Sequence, residues 1–435
     1  MIISNATADL ETRVVRKTTL HILPFVMLLY FVSFLDRVNV GFAALGMNKA
    51  IGLTPEMFGL GGGIFFLGYF LLEVPSNLIL HRVGARIWIA RIMVTWGIVS
   101  AVSAFAVGPR SFYAFRFALG LAEAGFFPGI IFYLSQWFTV QQRAAAVAVF
   151  MAAVPLSTVV GSPISGAIME LPRFAGLSNW QWLYLLEGLP AILLGIIVLF
   201  VLTDRPGQAK WLEPEERTWL VDRLAIEKEA ATARAPHTKG IFKALKNPSV
   251  WALAFVFFAL SAGLYALGIW APLILHQFGF KASTIGWLNA IPGIAAIPCM
   301  IIWSWHSDRK SERKWHIVLP CLATSTAFIV MALGHTALGI IVAMVLINIS
   351  MSVMKGPLWS VPTMFMAGSG AAVGIALINS IGNLGGFVGP YAIGWLKTRT
   401  GSYAGGLYAV AGAFAASALV TFILLNRKQP REIAE

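Results

Sequence analysis

Ionisable side chains interrupt several long apolar runs of this sequence, and they are the residues that could do chemistry. Asp36 and Arg37 are adjacent in the first run, Glu123 lies in the fourth and Lys355 in the tenth. A charged side chain at the centre of a membrane helix costs about 2.5–3.5 kcal/mol on insertion scales, so it is a functional candidate by default. The sequence therefore predicts that these residues bind or move charge inside a membrane.

Arg37 has the chemistry needed to bind an organic anion. Its guanidinium can hold two carboxylate oxygens at once and does not lose its proton in proteins. Neighbouring residues on a helix point about 100° apart, so Asp36 is not expected to pair with Arg37 side by side. We expect one of the two to face a central cavity while the other contacts a neighbouring helix. A structural ion pair near a helix end is the alternative.

Glu123 has the chemistry needed to carry a proton. A buried carboxyl group without a permanent partner keeps its proton more readily than one in water, and a proton-coupled carrier requires this property. The alternatives are an ion pair with Arg116 on the same helix, or a contact that locks two helices together. The remaining charges of the apolar runs lie towards the ends of those runs and are expected to be structural; they are Glu73, Arg91, Arg116 and Glu187.

Lys355 could meet a second anionic group of a substrate. Its alternative is to extend towards a membrane interface, as lysine does readily. Amide, hydroxyl and aromatic side chains fit the same pocket by position, because such groups can hydrogen-bond carboxylate and hydroxyl oxygens or pack against the ligand. They are Tyr69, Trp359, Asn379 and Asn383.

The composition predicts an integral membrane protein in contact with a lipid bilayer. Of the 435 residues, 58% are hydrophobic and only 12% are charged, whereas ordinary globular chains have about 45–50% apolar and about 25% charged residues. The mean hydropathy is +0.77. These values exclude a secreted enzyme, a cytosolic dinucleotide-binding enzyme and a disordered scaffold.

Apolar runs of about 20 residues, the length that a spanning helix needs, occur twelve times. They begin near Leu20, Met57, Ile87, Ser111, Ala144, Trp182, Ser249, Thr284, His316, Leu338, Ala371 and Tyr403. The residues that precede the first run do not have the design of a signal peptide, so that run is interpreted as the first span. The sequence predicts an all-α membrane protein with twelve transmembrane helices.

A polar segment divides the runs six and six. We expect an N-terminal bundle over residues 1–203, a linker over 204–248 and a C-terminal bundle over 249–435. The spacing of apolar residues from Leu212 to Leu224 predicts a short amphipathic helix at the membrane surface within the linker. Weak similarity between the halves supports two pseudo-symmetric bundles. Corresponding Gly/Pro clusters occur at 161–166 and 389–394.

The basic residues predict the orientation. Of the 32 Lys and Arg, 22 fall on the side of the termini and the linker, and six fall on the other side. Cytoplasmic loops collect basic residues, so both termini and the linker are expected to be cytoplasmic, in a bacterial inner membrane. This asymmetry accounts for the net charge of +13 without a nucleic-acid partner.

Motifs along nearly the whole chain resemble the major facilitator superfamily and, within it, the anion:cation symporter family. The superfamily resemblance rests on twelve spans in two sixes, a basic second loop, a long central loop and residues 116–120, RFALG. The narrower resemblance rests on 34–39, FLDRVN; 123–129, EAGFFPG; 180–190, WQWLYLLEGLP; 355–362, KGPLWSVP; and 379–390, NSIGNLGGFVGP. Within that family the motifs resemble those of tartrate, phthalate and hydroxyphenylacetate permeases.

The resemblance implies roles for individual residues. It implies that Arg37 binds the substrate anion, that Glu123 and Asp36 are proton sites, and that Tyr69 and Asn383 line the pocket. It also implies gating or structural roles for Arg116 and for residues of the loops that follow the second and eighth spans. The loop residues are Arg82, Gly84, Arg86, Asp308 and Arg309. One departure is His81, which stands where the superfamily usually has an aspartate, so the cytoplasmic latch is expected to be altered.

The sequence therefore predicts a secondary transporter that takes up small organic carboxylates, such as tartrate, sugar acids or aromatic acids, together with protons. It is expected to act as a monomer, by alternating access. The alternatives are a uniporter of the same substrates and a membrane sensor of organic anions that does not transport. No enzyme activity, cofactor or metal is expected, because no nucleophile–base, phosphate-binding or metal-ligand motif occurs.

Overall fold

The protein is a bundle of helices. The computed structural model describes residues 2–233, 246–365 and 369–426. The first half contains α1 (Ile2–Ala50), α2 (Pro55–Val83), α3 (Ala85–Val102), α4 (Pro109–Glu123), α5 (Phe126–Ser135), α6 (Val140–Met151), α7 (Ala153–Ile168) and α8 (Asn179–Val201). The linker contains α9 (Pro214–Ala233). The second half contains α10 (Pro248–His276), α11 (Ala282–Lys310), α12 (Lys314–Leu333), α13 (Ala337–Val353), α14 (Lys355–Phe365), α15 (Ser369–Asn383), α16 (Gly385–Thr400) and α17 (Ala404–Asn426).

The helices form the membrane spans that the hydropathy predicts. Eleven helical stretches of the described residues are long and apolar enough to cross a membrane. The eleventh predicted span, near Ala371, is the one not among them, because it is divided into α15 and α16, which are 15 and 16 residues long and are each too short to cross alone. The two helices meet at Leu384, and together they supply the missing span.

Four spans are broken near their middles, and the breaks occur in corresponding positions of the two halves. The fourth and tenth spans break between α4 and α5 and between α13 and α14. The fifth and eleventh break between α6 and α7 and between α15 and α16. At the first break Gly125 has a φ of 87°, a left-handed conformation that glycine adopts without strain. In repeat-built transporters, paired discontinuous helices mark the substrate site.

The two halves contact each other most closely at the membrane face opposite the termini. There α2 packs on α16, α7 on α11 and α1 on α10. A Cβ at Gly59 would lie 2.6 Å from the carbonyl oxygen of Pro390, so the backbones of α2 and α16 can approach this closely only because Gly59 has no side chain. We call this region the seal, defined by the contacts of α2 with α16 and of α7 with α11.

Glu170 links the halves across the seal. It follows α7 and accepts hydrogen bonds from the backbone nitrogen of Ser283 at 2.9 Å and from its Oγ at 2.6 Å. Ser283 lies in the first turn of α11, where backbone N–H groups have no partner within the helix. The Ser283 hydroxyl and backbone N–H together lower the pKa of Glu170.

We expect Glu170→Gln to loosen the seal. The carboxylate stabilises the closed seal at pH values above its ordinary pKa of 4.5, and this stabilisation is lost as the pH falls through the lowered pKa. Because Glu170 is exposed, the effect is modest, about two- to fivefold in the labelling rate of a cysteine placed at Ala282. The control is Glu56→Gln on the same face of the bundle. The backbone nitrogen of Glu56 donates to Thr398 Oγ1, so the substitution leaves this hydrogen bond in place. Equal labelling of both variants would contradict the prediction.

The segment in which the sequence predicts a linker helix contains α9, from Pro214 to Ala233. Its Glu216 side chain is 1% exposed and pairs with Lys17 of α1 at 2.7 Å. Leu220 is also buried. The linker is therefore held to the first half by an apolar contact and by an ion pair whose carboxylate is buried and whose lysine side chain is 40% exposed.

The second loop, where the sequence predicts an altered latch, is contacted by an aspartate from another part of the chain. Gly84 separates α2 from α3 with a φ of 98°. Asp204, which follows α8, accepts a hydrogen bond from the backbone nitrogen of Arg86 at 2.8 Å, and its second oxygen lies 3.6 Å from Arg86 Nε. His81 instead contacts Phe132, with ring centroids 4.0 Å apart and ring planes tilted by 57°. Asp204 thus supplies the acidic contact to this loop that His81 cannot make.

The other loop residues with predicted gating roles lie on the face of the termini. Arg82 is exposed. Asp308 pairs with Arg313 at 2.6 Å, not with the adjacent Arg309, whose guanidinium lies 5.3 Å from the ring centre of Trp305.

Candidate functional site

A cavity of about 160 Å³ lies between the two halves. It is small compared with the 300–1,000 Å³ of sites for drug-sized molecules. The structure brings all six residues predicted to bind substrate to its wall: Arg37, Tyr69, Lys355, Trp359, Asn379 and Asn383. Two of them lie at helix breaks, because Lys355 begins α14 and Asn383 ends α15. The broken spans therefore direct polar groups and a charge into the cavity.

Arg37 is paired with Glu123 across the first half. Its Nε and Nη2 donate to Glu123 Oε1 at 2.9 and 2.7 Å, and Ser33 Oγ donates to the same oxygen at 2.7 Å. The Glu123 side chain is 1% exposed. Its Oε2 is buried and has no hydrogen-bond partner among the described residues. Glu123 of α4 therefore contacts another helix, α1, which is one of the alternatives that the sequence left open.

Arg37 also contacts the second half. Its Nη1 donates to the hydroxyl of Tyr265 in α10 at 2.9 Å. The guanidinium carbon lies 5.3 Å from the ring centre of Tyr69 and 5.4 Å from that of Phe34, within the range of a cation–π interaction. One arginine therefore joins a carboxylate of its own half, aromatic rings and the facing half of the protein at the cavity wall.

Asp36 lies outside the cavity, as the 100° offset between neighbouring helix residues predicts. It accepts hydrogen bonds from Trp96 Nε1 at 2.6 Å, Ser100 Oγ at 2.8 Å and Asn39 Nδ2 at 3.1 Å. Three donors suit an ionised carboxylate, which is an acceptor only. Asp36 thus connects α1 to α3 while Arg37 faces the cavity.

Lys355 brings a second positive charge to the cavity. No carboxylate lies within ion-pair distance of it among the residues with described positions. Trp359, one turn further along α14, packs edge to face on Phe257 with ring centroids 4.9 Å apart. The cavity thus has a paired cation from the first half and, within the described part of the chain, a cation without an ion-pair partner from the second half.

Arg116 does not pair with Glu123. Its side chain is buried, its Nε donates to the carbonyl oxygen of Gly61 at 3.4 Å, and its guanidinium lies 5.1 Å from the ring centre of Phe65. Glu187 is also buried within the first half, with 2% of the residue exposed. Neighbouring helices therefore cover both side chains, Arg116 and Glu187.

Residues that the sequence did not rank complete the site. Ser33 and Tyr265 hydrogen-bond the central pair, and Tyr30 lines the cavity. Glu73, expected to be structural, accepts a hydrogen bond at 3.4 Å from Asn379 of the second half. Tyr, Phe and Ser residues are too common in apolar helices such as α1, α2 and α10 for the sequence alone to identify these positions.

The architecture belongs to a known family. Residues 26–390 match the sequence profile of the Major Facilitator Superfamily. The chain belongs to the major facilitator superfamily. It is a membrane transporter, not an enzyme, and the predicted fold of two six-helix bundles is confirmed.

Two relatives of the chain have names that refer to different compounds. A protein of Agrobacterium vitis named "Putative tartrate transporter" is 59% identical over 96% of this chain and 96% of its own length. A protein of Acinetobacter baumannii named "Quinolone resistance transporter" is 37% identical over 96% of each chain. The first name agrees with the resemblance to organic anion permeases.

A solved structure supports the fold independently of the sequence. A bacterial homologue of the human lysosomal transporter Spinster, in an inward-facing and unoccupied conformation, superimposes with a TM-score of 0.76 at 17% identity. The superposition covers 95% of this chain and 99% of that one.

Proposed function

We propose that the protein takes up small dicarboxylates of the tartrate type together with protons. The observation that carries the proposal is the pair of cations, Arg37 and Lys355, that face one small cavity from opposite halves. Each cation can hold one carboxylate of a short dianion through charge-assisted hydrogen bonds. The amides of Asn379 and Asn383 can bond hydroxyl groups between them. The name of the Agrobacterium vitis relative supports the same substrate class.

The Arg37–Glu123 pair explains how substrate and proton could be coupled. A substrate carboxylate must compete with Glu123 for the guanidinium, since Glu123 Oε1 already accepts from Nε and Nη2. Protonation of Glu123 removes that competitor and makes Arg37 available to the substrate. When the proton leaves, the ion pair forms again and displaces the anion. The state described here, with the pair intact and the seal closed, corresponds to the transporter after release.

The halves would then rock about the cavity to expose it to either face. With the termini in the cytoplasm, as the basic residues favour, the closed seal lies on the periplasmic side of a bacterial inner membrane. Uptake down a proton gradient then runs from the seal towards the termini. One chain contains both halves and the whole cavity, so the proposed transporter works as a monomer.

Uptake into proteoliposomes tests the proposal. Labelled tartrate, a sugar acid and an aromatic acid are supplied with and without an inward proton gradient. We expect tartrate to accumulate above its external concentration only with the gradient. Uptake indifferent to the gradient would indicate uniport or another coupling ion. Binding of an acid without uptake would favour the sensor, and efflux of a quinolone would favour the activity named for the Acinetobacter baumannii relative.

Lys355→Met should weaken binding of a dicarboxylate more than binding of a monocarboxylate. A hydrogen bond to a charged group contributes about 1.5–3 kcal/mol, so the affinity for tartrate should fall by about tenfold or more. The affinity for a monocarboxylate should change little, because Arg37 holds that group. Competition binding with both ligands measures the difference. Lys49→Met, an exposed lysine at the end of α1, is the control. Equal losses for the two ligands would remove Lys355 from the proposed site.

A further inference from the structure

A second cavity, of about 60 Å³, lies beside the central one and has no part in the proposed substrate cycle. Arg37 and Tyr265 line both cavities. The hydrogen bond from Arg37 Nη1 to the Tyr265 hydroxyl, at 2.9 Å, is therefore part of the boundary between them. We call the second space the outer cavity. Its other polar lining residues are Thr158, Asn289 and Asn348.

The outer cavity lies on the seal side of the central one. Gly268 of α10 lines it, and Trp270, two residues further on, donates to the carbonyl oxygen of Pro390 at 3.1 Å, where α16 packs on α2. Asn289 of α11 also lines it, and its Nδ2 donates to Ser162 Oγ of α7 at 3.0 Å, within the other contact of the seal. A solute that enters when the seal opens therefore reaches the outer cavity before the central one.

The charge of the outer cavity favours an anion. Arg37 is its cation, and none of the described residues that line it is Asp or Glu. A guanidinium has five N–H groups, of which Arg37 uses three in its hydrogen bonds to Glu123 and Tyr265. Two N–H groups therefore remain for a ligand while the ion pair with Glu123 is intact.

Neutral donors complete the lining of the outer cavity. Thr158 of α7 contributes a hydroxyl group, and Asn289 and Asn348 contribute amides from the second half. Each amide uses one N–H in a hydrogen bond within the protein, and its second N–H can donate to a ligand. Donors from both halves thus surround a space next to a guanidinium, which is the arrangement that binds a carboxylate.

The volume of the outer cavity limits what it can hold. One water molecule needs about 10–15 Å³ of such volume, so a space of about 60 Å³ has room for about four water-sized groups. A single carboxylate group fits within it, whereas a dicarboxylate with both of its ends does not. The outer cavity is therefore too small to be a second copy of the central site.

We propose that the outer cavity is an anion subsite, which receives the leading carboxylate of an entering organic acid when the seal opens. This inference rests on the proposed uptake of carboxylates. Thr158, Asn289 and Asn348 hydrogen-bond the carboxylate, and the two remaining N–H groups of Arg37 attract it. The subsite can fill before Glu123 takes up a proton, because it does not require the N–H groups that Glu123 holds. The anion enters the central cavity when the Tyr265 hydroxyl separates from the guanidinium.

Thiol labelling in membrane vesicles with the seal face outside tests the subsite. Thr158→Cys is made in a chain whose own cysteines, Cys299 and Cys321, are replaced by alanine. Two impermeant methanethiosulfonates of similar size are added outside, one with a sulfonate and one with a trimethylammonium group. Each labelling rate is divided by the rate of the same reagent with a small thiol in solution. We expect the anionic reagent to be favoured about tenfold or more.

Asn348→Leu, added to this reporter, should lower the preference for the anionic reagent about threefold or more, because one donor to the anion is lost. Asn77→Leu is the matched control. Asn77 Nδ2 donates to the carbonyl oxygen four residues earlier, as Asn348 Nδ2 does, but Asn77 lines neither cavity. A merely structural effect of either variant would change both labelling rates together and leave their ratio unchanged.

Gly268→Cys provides a second reporter position. A Cβ at Gly268 would lie 3.6 Å from Val38 Cγ1, an ordinary contact, so the variant should fold. Equal normalised rates of the two reagents at both positions would overturn the subsite. Absence of labelling by either reagent would also overturn it, because an entering anion could not reach the cavity. An anion preference that Asn348→Leu leaves unchanged would overturn it as well.

The central cavity reports on the proposed function separately. Ser261→Cys places a thiol in the wall of the central cavity, and tartrate should protect that thiol from labelling. An anion preference in the outer cavity that depends on Asn348, without protection of Ser261→Cys by tartrate, would support the subsite and overturn tartrate as the substrate. Protection of Ser261→Cys without an anion preference in the outer cavity would overturn the subsite and leave the proposed function supported.

Discussion

Arg37→Ala should abolish binding and uptake of tartrate. Two charge-assisted hydrogen bonds from the guanidinium, at about 1.5–3 kcal/mol each, disappear together. The expected loss of affinity exceeds about 100-fold. Lys355 cannot compensate, because it approaches the cavity from the other half. Arg37→Lys should also bind weakly, since an ammonium group keeps the charge but cannot hold two carboxylate oxygens in a fixed plane. Calorimetric titration with tartrate measures both variants.

The controls must separate binding from folding. Removing Arg37 leaves Glu123 buried without its partner, which can cost about 3–5 kcal/mol unless the carboxyl group takes up a proton. The double variant Arg37→Ala with Glu123→Gln removes that cost and should still fail to bind. Arg91→Ala is the control for loss of an arginine from a span, since Arg91 lies over Trp88 and away from the cavity. Tartrate affinity within a few-fold of wild type in Arg37→Ala would exclude Arg37 from the site.

Much of the fold could be predicted because hydropathy and local geometry determine it. Twelve apolar runs and a polar linker were sufficient to expect the two bundles. The 100° offset between neighbouring residues was sufficient to separate Asp36 from Arg37. Both arguments concern a single segment at a time, so they need no knowledge of which helices become neighbours.

The pairing partners could not be predicted, because they depend on tertiary packing. Arg37 and Glu123 are 86 residues apart in the chain, and the sequence alone named only Arg116, on the same helix, as a possible partner for Glu123. Asp204 replaces the contact expected at His81 from a segment that follows six spans. The burial of Glu187 and Arg116 could not be predicted either, because position along a helix does not tell which neighbours cover its sides.

The helix breaks could be predicted from the sequence only in part. Gly125 signals a left-handed residue, but the break before Lys355 has no glycine or proline at Met354. It is only in the assembled structure that the interrupted spans are seen to pair across the halves and surround one cavity. The site residues could be nominated from their types, whereas their convergence required the fold.

Glu123→Gln should keep exchange of tartrate and lose its accumulation. Glutamine accepts a hydrogen bond from Arg37 as the carboxylate does, but it has no charge and cannot carry a proton. The guanidinium then remains available to the substrate at every pH. We expect counterflow at a rate comparable with wild type, and an internal tartrate concentration that only equals the external one under a proton gradient. Flux measurements on one preparation of proteoliposomes test both halves of the prediction.

The sign of the pH dependence distinguishes this role of Glu123 from a structural one. In the wild type, acidification of the outer face should raise uptake, because protonated Glu123 stops competing for Arg37. In Glu123→Gln that competitor is already absent, so external pH should no longer change the affinity. The exposed Glu215→Gln in α9 is the matched control and should keep the wild-type response. Full accumulation by Glu123→Gln would leave Glu123 as a helix-to-helix contact and would transfer the coupling to Asp36, the other proposed proton site, which is buried beside Arg37.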